Sequence, residues 1–393
     1  MSKQELKLGV VGLGLAGSLM INSISAHPRI RIAAAADFNP LIRERFSKDY
    51  PDAIAYESAE DLLSSEGVVD AVYIATPHNF HCQQAVFALQ HGKHVIVEKP
   101  MALTLEDCDR MNAAVEASGK FLVVGHSHGF DPNVALIGDL VQSGEMGELC
   151  FINMFNYNDF IYRPRRDDEL DTAKGGGIIF NQLPHQVEIA KRIDGGQVHS
   201  VRAKTSILDQ ERPTEGACMA YLDFESGATA TLIYSGYDHF DSDEFHYWTA
   251  EAGFEKGANH GNAYRNLEAA KLKADEADLR SEKFGYGSEF WTMFRDMGPM
   301  PHQPHFGVLI ATCEKADLRP SQDGIHVYDK NGLREIAIER SVGTPGYVDV
   351  IEELLEAIVT GETPLHNGLW ARDTLAVCLA IQEASRTRKE IIL

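Results

Sequence analysis

The sequence predicts an α/β protein with two domains: an N-terminal doubly wound parallel sheet, and an α+β domain with a large, mostly antiparallel sheet. Over roughly the first 125 residues, apolar runs of strand length alternate with helical stretches, which is the pattern of βαβ units. After residue 150, several segments alternate polar and apolar residues as half-buried strands do. Because 393 residues exceed what one core usually organises, we place the domains at 1–125 and 126–393.

The first strand runs into a glycine-rich turn. Lys7–Val11 is apolar and leads into G-x-G-x-x-G at residues 12–17, and a second apolar run, Ile30–Ala36, ends at Asp37. In a Rossmann domain such glycines admit a tight turn and a pyrophosphate, the following helix attracts phosphate, and the acid accepts ribose hydroxyls. We therefore predict NAD as cofactor, with NADP not excluded. The cofactor-binding residues predicted here are Gly12, Gly14, Leu15, Ala16, Gly17, Asp37 and Phe38.

The other elements of the first domain follow the same rhythm. We predict strands at Val68–Ala75, His94–Val97 and Phe121–Val124, and helices at Ser18–Ala26, Phe80–His91 and Leu105–Ser118. Ligands of such sheets bind beyond the carboxyl ends of the strands. Residues that follow strands are therefore candidates by position: Thr76, Pro77, Glu98, Lys99 and the segment 126–128.

The second domain is predicted from its alternating segments. Strands are expected at Leu149–Tyr157, Val198–Leu208, Ala217–Phe224, Ala228–Tyr234 and Phe245–Thr249. Residues 253–307 are less regular, with a helix at Leu267–Glu282 and a Gly/Pro/His stretch at Met297–His305; they form either a substrate-covering insertion or a surface excursion. Tyr347–Val359 and Gly368–Thr387 have strong amphipathic helix patterns, and the second helix could pack back on the first domain.

Composition narrows the possible partners and the compartment. Acidic residues outnumber basic ones 58 to 36, for a net charge of −22, which argues against nucleic acid or an anionic membrane as partner. The start has no signal-like apolar core, and no apolar run has membrane-spanning length. Six cysteines lie far apart without a C-x-x-C pair, and the histidines lack a convincing ligand set. We expect a cytoplasmic protein with a small-molecule substrate and no metal.

Four motifs occur in series along the chain. They are the turn 12–17, T-P-x-x-x-H at 76–81, E-K-P at 98–100, and G-G-G at 175–177 followed by Asn181 and His185. In this order and spacing they resemble the Gfo/Idh/MocA oxidoreductases, over essentially the whole chain. The resemblance implies NAD(P)-dependent hydride transfer to or from a hydroxyl-bearing small molecule. It also implies a homodimer or homotetramer formed through the sheet of the second domain.

The resemblance further implies roles for the second and third motifs. Thr76, Pro77, Asn79 and His81 would lie at the cofactor, although His81 could equally make a local hydrogen bond at a helix start. Glu98 would help to hold the cofactor, and Lys99 would bind or polarise the substrate oxygen; a surface lysine is the alternative. A positive charge there would favour the alkoxide character that develops as hydride leaves.

The fourth motif departs from the family pattern. Asn181 stands where the family has aspartate, one helical turn before His185, and this spacing predicts both side chains on one helix face. Asparagine cannot accept a proton, but it can hydrogen-bond a substrate hydroxyl or the imidazole, so we predict Lys99, Asn181 and His185 as the catalytic residues. We therefore expect His185 to act as base with Lys99, without an Asp–His dyad. The alternative is a site without hydride chemistry, as in a non-enzymatic dinucleotide-binding regulator.

An arginine-rich segment precedes the fourth motif. Tyr162 is followed by Arg163, Arg165 and Arg166, and arginines bind carboxylates in bidentate fashion. A solvated loop, or pairing with the acidic residues 167–169, is the alternative. The block from Tyr162 to Gln186, together with residues 303–307, also resembles the phthalate cis-dihydrodiol dehydrogenase branch, which implies a carboxylated cis-diol. A sugar or inositol dehydrogenase, or an NAD-dependent glycosidase, remains open. The substrate-binding residues predicted are Tyr162, Arg163, Arg165, Asn181, His185 and His305.

Overall fold

Six parallel strands form the first sheet of the computed structural model, which describes residues 5–25, 27–258, 260–296, 298, 300–339 and 346–393. The strands are β1 (Leu6–Val11), β2 (Ile30–Ala36), β3 (Ile54–Tyr56), β4 (Ala71–Ile74), β5 (His94–Glu98) and β6 (Leu122–Gly125). Their order is β3-β2-β1-β4-β5-β6, and every neighbouring pair is parallel. The strand order reverses between β1 and β4, where Val11 pairs with Ile74. This topological switch point is where doubly wound sheets bind ligands.

Nine strands form the second sheet. They are β7 (Leu149–Tyr157), β8 (Val198–Ser206), β9 (Ala217–Phe224), β10 (Thr229–Ser235), β11 (Val308–Cys313), β12 (Ala316–Pro320), β13 (Gly324–Asp329), β14 (Gly332–Ala337) and β15 (Ile391–Ile392). The order is β14-β13-β12-β11-β7-β10-β9-β8-β15. Only β10 and β7 pair in parallel; the other pairs within this sheet are antiparallel. The predicted fold class is confirmed.

Helices connect and flank these strands. The α-helices in the described residues are α1 (Leu15–Ile24), α2 (Pro40–Asp49), α3 (Ala59–Ser64), α4 (His81–Gln90), α5 (Leu105–Ser118), α6 (Pro132–Gln142), α7 (Gly177–Asn181), α8 (Leu183–Asp194), α9 (Asn262–Lys271), α10 (Glu276–Phe284), α11 (Glu289–Asp296), α12 (Tyr347–Thr360) and α13 (Gly368–Thr387). Short 3₁₀ helices lie at His78–Phe80, Ser127–Phe130, Phe160–Tyr162, Asp167–Leu170, Thr172–Lys174 and Ser242–His246.

The described residues divide into two compact units. The first lies within Met1–His126, Asp278–Gly298 and Val342–Leu375; the second lies within Ser127–Ala277, Pro299–Ser341 and Ala376–Leu393. Each unit has its own fully buried apolar side chains. Examples are Val10, Ile74 and Ile96 in the first unit, and Ile152, Leu232 and Leu318 in the second.

Some predicted elements are wrong. Phe245–Thr249 is not a strand, because Tyr247 and Trp248 have positive φ values of 57° and 63°, which no extended strand adopts. The predicted helix Leu267–Glu282 is two helices, since α9 ends at Lys271 and α10 begins at Glu276. Ala26, Met297 and Pro299, which belong to predicted segments, lie outside the described residues, as do residues 1–4 at the start of the chain.

Other elements of the structure were not predicted from the sequence. The four strands β11–β14 are the clearest case, and in β14 the sequence GLREIA leaves most side chains exposed. Such an edge strand carries no apolar alternation because it has almost nothing to bury. The short β3, with the helices α2 and α3, was missed for the same lack of a periodic signal.

Candidate active site

The glycine-rich turn lies at the switch point of the first sheet. Gly12 has φ +91°, and a Cβ there would stand 2.8 Å from the Ala75 carbonyl oxygen, so only glycine fits between the ends of β1 and β4. A Cβ on Gly17 would overlap the carbonyl oxygen of Gly12, so this glycine lets α1 start directly on the turn. At Gly14, by contrast, a Cβ would meet nothing within 4 Å. The turn therefore leaves space beside Gly14, ahead of the first N–H groups of α1 at Leu15 and Ala16.

Asp37 is held against this turn. Its Oδ2 accepts a hydrogen bond from the Leu13 backbone N–H at 2.8 Å, and its Oδ1 accepts one from Asn39 N–H at 2.9 Å. The neighbouring Phe38 side chain is 86% exposed. Arg43, which sequence reasoning missed, donates from Nη1 to the carbonyl oxygens of Asp37 and Phe38 at 2.8 and 2.9 Å. The carboxylate is thus oriented where an adenosine ribose is expected.

A distant part of the chain supports the same turn. The Tyr286 backbone N–H donates to the Leu13 carbonyl oxygen at 3.1 Å, and its hydroxyl donates to Asp49 at 3.0 Å. Tyr286 is fully buried and packs against Phe46 and Trp291. Part of the irregular region 253–307 is therefore a support for the nucleotide turn, which neither of the two predicted roles for this region anticipated.

His81 joins two of the predicted motifs. Its Nε2 lies 2.8 Å from the Thr76 carbonyl oxygen and its Nδ1 lies 2.9 Å from the Pro100 carbonyl oxygen, and the ring is fully buried. Thr76 Oγ1 donates to Gln84 Oε1 at 2.6 Å, while Pro77 and Asn79 are exposed. Both ring nitrogens of His81 are thus engaged by backbone, which ties the loop after β4 to the loop after β5.

The E-K-P motif ends β5 with a cis peptide bond between Lys99 and Pro100. The Tyr73 hydroxyl donates to Glu98 Oε1, and the Lys99 backbone N–H donates to Glu98 Oε2 at 3.2 Å. Burial raises the pKa of Glu98, although the Lys99 charge and the Tyr73 hydrogen bond oppose it. Burial, together with the Glu98 charge, raises the pKa of Tyr73. The Glu98 carboxylate therefore orients the peptide that precedes Lys99.

In the second unit, Asn181 and His185 belong to different helices. α7 ends at Asn181 and α8 begins at Leu183, because the chain leaves helical geometry at Gln182 and Pro184 has no N–H to continue the ladder. The prediction that both side chains share one helix face is therefore wrong. Asn181 Nδ2 donates to the carbonyl oxygens of Gly175 and Gly177 at 3.0 and 2.8 Å, and so stabilises the G-G-G turn.

His185 lies in a cluster of rings. The His128 ring meets it edge-on, with ring centroids 4.7 Å apart, and Phe306 packs on both rings at 4.7 and 4.9 Å. His128 Nδ1 lies 2.8 Å from Asp131 Oδ2. Sequence reasoning named His128 by position only and missed Asp131, whose place just before Pro132 marks a helix start and carries no signal of chemistry.

A partly buried polar network lies in the same unit. Asn156 and Asn158 donate from Nδ2 to Glu251 Oε1 at 3.1 and 3.0 Å, and Arg163 Nε donates to Asp159 Oδ1 at 2.8 Å. Burial disfavours the Arg163 cation, but Asp159 and Glu251 outweigh it and raise its pKa. Burial likewise opposes the Glu251 anion, yet the Arg163 and His128 charges lower its pKa. Glu251 lies in an irregular segment without a motif, so the sequence offered no signal for it.

Two more predicted substrate residues, Arg165 and Tyr162, have other partners in the second unit, as does the neighbouring Arg166. Arg165 donates from Nη2 to the Phe160 carbonyl oxygen at 2.7 Å and covers the Phe160 ring, while Arg166 pairs with Asp168 through two nitrogens. Tyr162 is buried and donates to Asp209 at 3.1 Å. For Arg166, the structure therefore shows the predicted alternative of pairing with a neighbouring acid.

Both ring nitrogens of His305 form hydrogen bonds with the backbone. Its Nδ1 accepts from Gly307 N–H at 3.1 Å and its Nε2 donates to the Thr249 carbonyl oxygen at 2.8 Å. Its ring stacks on His246 with centroids 3.8 Å apart. Burial lowers the pKa of His305 to about 4, so the ring is neutral and holds the loop before β11.

Among the described residues, no cluster of three or more His, Cys, Asp or Glu side chains has the arrangement of a metal site. Within the same residues, no helix is both long and apolar enough to cross a membrane.

The sheet order, the glycine turn and Asp37 define a dinucleotide-binding protein. Residues 6–126 match the family model of the GFO/IDH/MocA oxidoreductases, described as an NAD-binding Rossmann fold. Residues 134–256 match the GFO/IDH/MocA C-terminal domain. The chain belongs to this family, as its motifs predicted. It is an NAD-binding oxidoreductase.

Individual proteins agree with the family assignment. The chain is 39% identical over 388 residues to a 1-carboxy-3-chloro-3,4-dihydroxycyclohexa-1,5-diene dehydrogenase from Comamonas testosteroni, covering 97% of this chain and 95% of that one. A solved structure from Bordetella bronchiseptica RB50, assigned as a dehydrogenase, is 45% identical, with a TM-score of 0.92 over 99% of this chain and all of that one. The myo-inositol 2-dehydrogenase of Thermotoga maritima is 27% identical over 59% of this chain and 71% of that one.

Proposed function

We propose that this protein oxidises a ring hydroxyl of a carboxylated cis-dihydroxycyclohexadiene, with NAD as hydride acceptor. The observation that carries the proposal is the similarity, over nearly the whole of both chains, to a dehydrogenase named for a 1-carboxy-3-chloro-3,4-dihydroxycyclohexa-1,5-diene. The relative named for inositol is matched over little more than half of this chain and at lower identity. A cyclic diol with a carboxylate is therefore a better candidate than a neutral polyol.

The first unit supplies the residues for the cofactor. The turn at Gly12–Gly17 and the first N–H groups of α1 would hold the pyrophosphate, and Asp37 would accept the ribose hydroxyls. The exposed Phe38 ring would lie at the adenine, and Asp37 would disfavour a 2′-phosphate, hence NAD over NADP. When bound, NAD supplies a ring that accepts hydride from the carbinol carbon.

The protein's own side chains would manage the hydroxyl. Lys99 would stabilise negative charge on the oxygen as the carbon–hydrogen bond breaks. Histidine is the side chain best suited to remove the hydroxyl proton, and His185 with its neighbour His128 are the candidates. Asn181 would act through the turn that it stabilises, because its Nδ2 donates hydrogen bonds to two backbone carbonyl oxygens of that turn. The resulting ketone would then tautomerise: the neighbouring carbinol carbon loses its proton and the carbonyl oxygen gains one, which gives an aromatic catechol and draws the oxidation forward.

Arg163 is the residue we assign to the substrate carboxylate. Asp159 engages its Nε, and the guanidinium carries further N–H donors on its two terminal nitrogens. Arg165 and Arg166 are less suited, since one covers the Phe160 ring and the other is bound to Asp168 through two nitrogens. Lysine at position 163 would keep the charge and lose the bidentate geometry.

The test measures reduced-nicotinamide absorbance with purified protein, NAD, and paired diols of one ring system with and without a carboxylate. We expect turnover of the carboxylated diol, and Arg163→Gln should raise its KM at least about tenfold while leaving that of the neutral diol unchanged. Arg166→Gln is the matched control and should change neither. Turnover restricted to inositols or sugars would replace this substrate class with a polyol; cofactor binding without turnover of any substrate would support a regulator.

We also propose a homodimer or homotetramer in the cytoplasm. Met219 and Tyr221 point to the same side of β9, are 60% and 41% exposed, and share that face with Phe151 through the register of β10. Such an apolar patch favours association between copies. The six free cysteines fit a reducing compartment. Light scattering on Met219→Glu, compared with the unaltered protein, should show a smaller assembly; an unchanged mass would reject this interface.

A further inference from the structure

A histidine–carboxylate pair stands beside His185, although position 181 holds no carboxylate. His128 Nδ1 is 2.8 Å from Asp131 Oδ2, and the His128 ring meets the His185 ring edge-on. The two residues of this pair are three positions apart, in the 3₁₀ turn Ser127–Phe130 and directly before α6. The second unit therefore contains an Asp–His dyad, but on a different segment from the G-G-G motif.

Asp131 stands at the N-cap position of α6, but helix capping does not explain its side chain. Its side chain makes no cap hydrogen bond to α6; the carboxylate is directed to His128 instead, and the residue is 1% exposed. Burial raises the pKa of Asp131, while the His128 charge opposes that rise. A carboxylate placed out of water in this way is stabilised chiefly by its histidine partner.

The pair also sets the tautomer of His128. With Asp131 ionised, the ring proton resides on Nδ1 and is donated to the carboxylate, which leaves Nε2 as the basic nitrogen. The His128 side chain is 19% exposed, whereas its partner Asp131 is buried. The histidine is therefore in part accessible to solvent, whereas the carboxylate behind it is not.

Several titratable or charged groups face His128. Asp131 lies at Nδ1, and the Glu251 carboxylate interacts with His128 from the segment after the 3₁₀ helix Ser242–His246. His305 faces it as a neutral ring, and His185 packs edge-on from α8. Arg163 interacts with Glu251 and is paired with Asp159. Two carboxylates, Asp131 and Glu251, thus interact electrostatically with His128.

We propose that His128 is the catalytic base for the oxidation put forward above, with Asp131 as its positioning residue and His185 as the ring that packs against it. This inference rests on the proposed function. The substrate O–H bond breaks, its proton moves to Nε2 of His128, and its electron pair becomes part of the new carbonyl group. The carbon is oxidised as its hydride leaves to the cofactor, which is reduced by the same two electrons.

The first experiment follows the histidine itself. NMR titration of the cofactor-bound protein with ¹³C-labelled histidine, assigned with His128→Gln, gives the His128 titration midpoint. Loss of the carboxylate in Asp131→Asn should lower this midpoint by about one to three pH units. Asp139→Asn, on the same helix but paired with Arg192 on the surface, is the matched control and should leave it unchanged. A midpoint that does not respond to Asp131→Asn would overturn the proposal.

The second experiment measures turnover of the carboxylated diol. His128→Gln should lower kcat about 100-fold or more with the NAD Kd unchanged. In Asp131→Asn, the acid limb of the kcat/KM profile should move to lower pH by the amount seen in the titration, which a purely structural role would not produce. Undiminished kcat in His128→Gln would refute the assignment. If no substrate is turned over, the proposed function fails, while the titration still decides whether Asp131 controls His128.

Discussion

Gly14→Ala should separate cofactor binding from folding. Gly14 precedes α1 with φ −71° and ψ −159°, an extended conformation that alanine also adopts. A Cβ at this position would meet no atom within 4 Å. The protein by itself therefore gives no steric reason for glycine here, and the reason must be a ligand that approaches the backbone.

The size of each effect follows from this geometry. Without cofactor, the free energy of unfolding should stay constant or rise by up to about 1 kcal/mol, because alanine restricts the unfolded chain. With NAD, the added methyl group occupies the space that the pyrophosphate requires. We expect at least about a tenfold weaker Kd, or about 1.4 kcal/mol.

Isothermal titration calorimetry with NAD and thermal unfolding without NAD measure the two quantities. Two control variants frame the result. Gly17→Ala should cost about 1–3 kcal/mol of stability even without NAD, because its Cβ overlaps the Gly12 carbonyl oxygen. Gly257→Ala, at another open position, should change neither quantity. An unchanged NAD Kd in Gly14→Ala would refute the placement of the pyrophosphate at this turn.

Three further predictions test other parts of the molecule. Asp37→Ala should shift the ratio of NADP to NAD affinity toward NADP by about tenfold, since the carboxylate no longer repels a 2′-phosphate; equal shifts in both Kd values would contradict this. Lys99→Met should lower kcat about 100-fold or more with NAD Kd unchanged, whereas the exposed Lys48→Met should have no effect in the same assay. His305 has a pKa of about 4, against an ordinary 6.5, so its neutral form stabilises the fold above pH 6.5 and that contribution is lost as pH falls toward 4. At about 1.4 kcal/mol per pH unit, the stability difference between the unaltered protein and His305→Gln should fall by about 3 kcal/mol between pH 6.5 and 4 in urea unfolding; a pH-independent difference would show that His305 is not buried as a neutral ring.

The nucleotide-binding part of the molecule was largely predictable. Its signals lie close together in the chain: the first strand, the G-x-G-x-x-G turn, and Asp37 at the end of the second strand are within about thirty residues. Each can be recognised from residue types at short, fixed spacings. Continuous apolar runs likewise identified β4, β5 and β6, since strands buried on both faces need apolar side chains throughout. The C-terminal helices were found because their apolar stripes repeat over several turns.

The second unit was harder to predict. Its edge strand β14 is mostly exposed and has no pattern to detect. The single helix predicted to carry Asn181 and His185 is interrupted at Gln182. Four-residue spacing places two side chains on one face only within a continuous helix, and Pro184, which lacks an N–H, prevents that continuity. The arginine segment was visible in sequence, but the partners that distinguish Arg163 from Arg166 were not.

The sequence by itself determined the fold class, the dinucleotide turn and the family, because these depend on short spacings and on periodic burial. Only the tertiary structure decided which polar groups meet. His128 and Asp131 lie in one short stretch, whereas His185 and Glu251 come from two others, and nothing in the local pattern of any of these three segments specifies the others. Their encounter is set by the packing of α6, α8 and the loop around Phe306, since a buried charge is tolerated only where folding brings a partner to it.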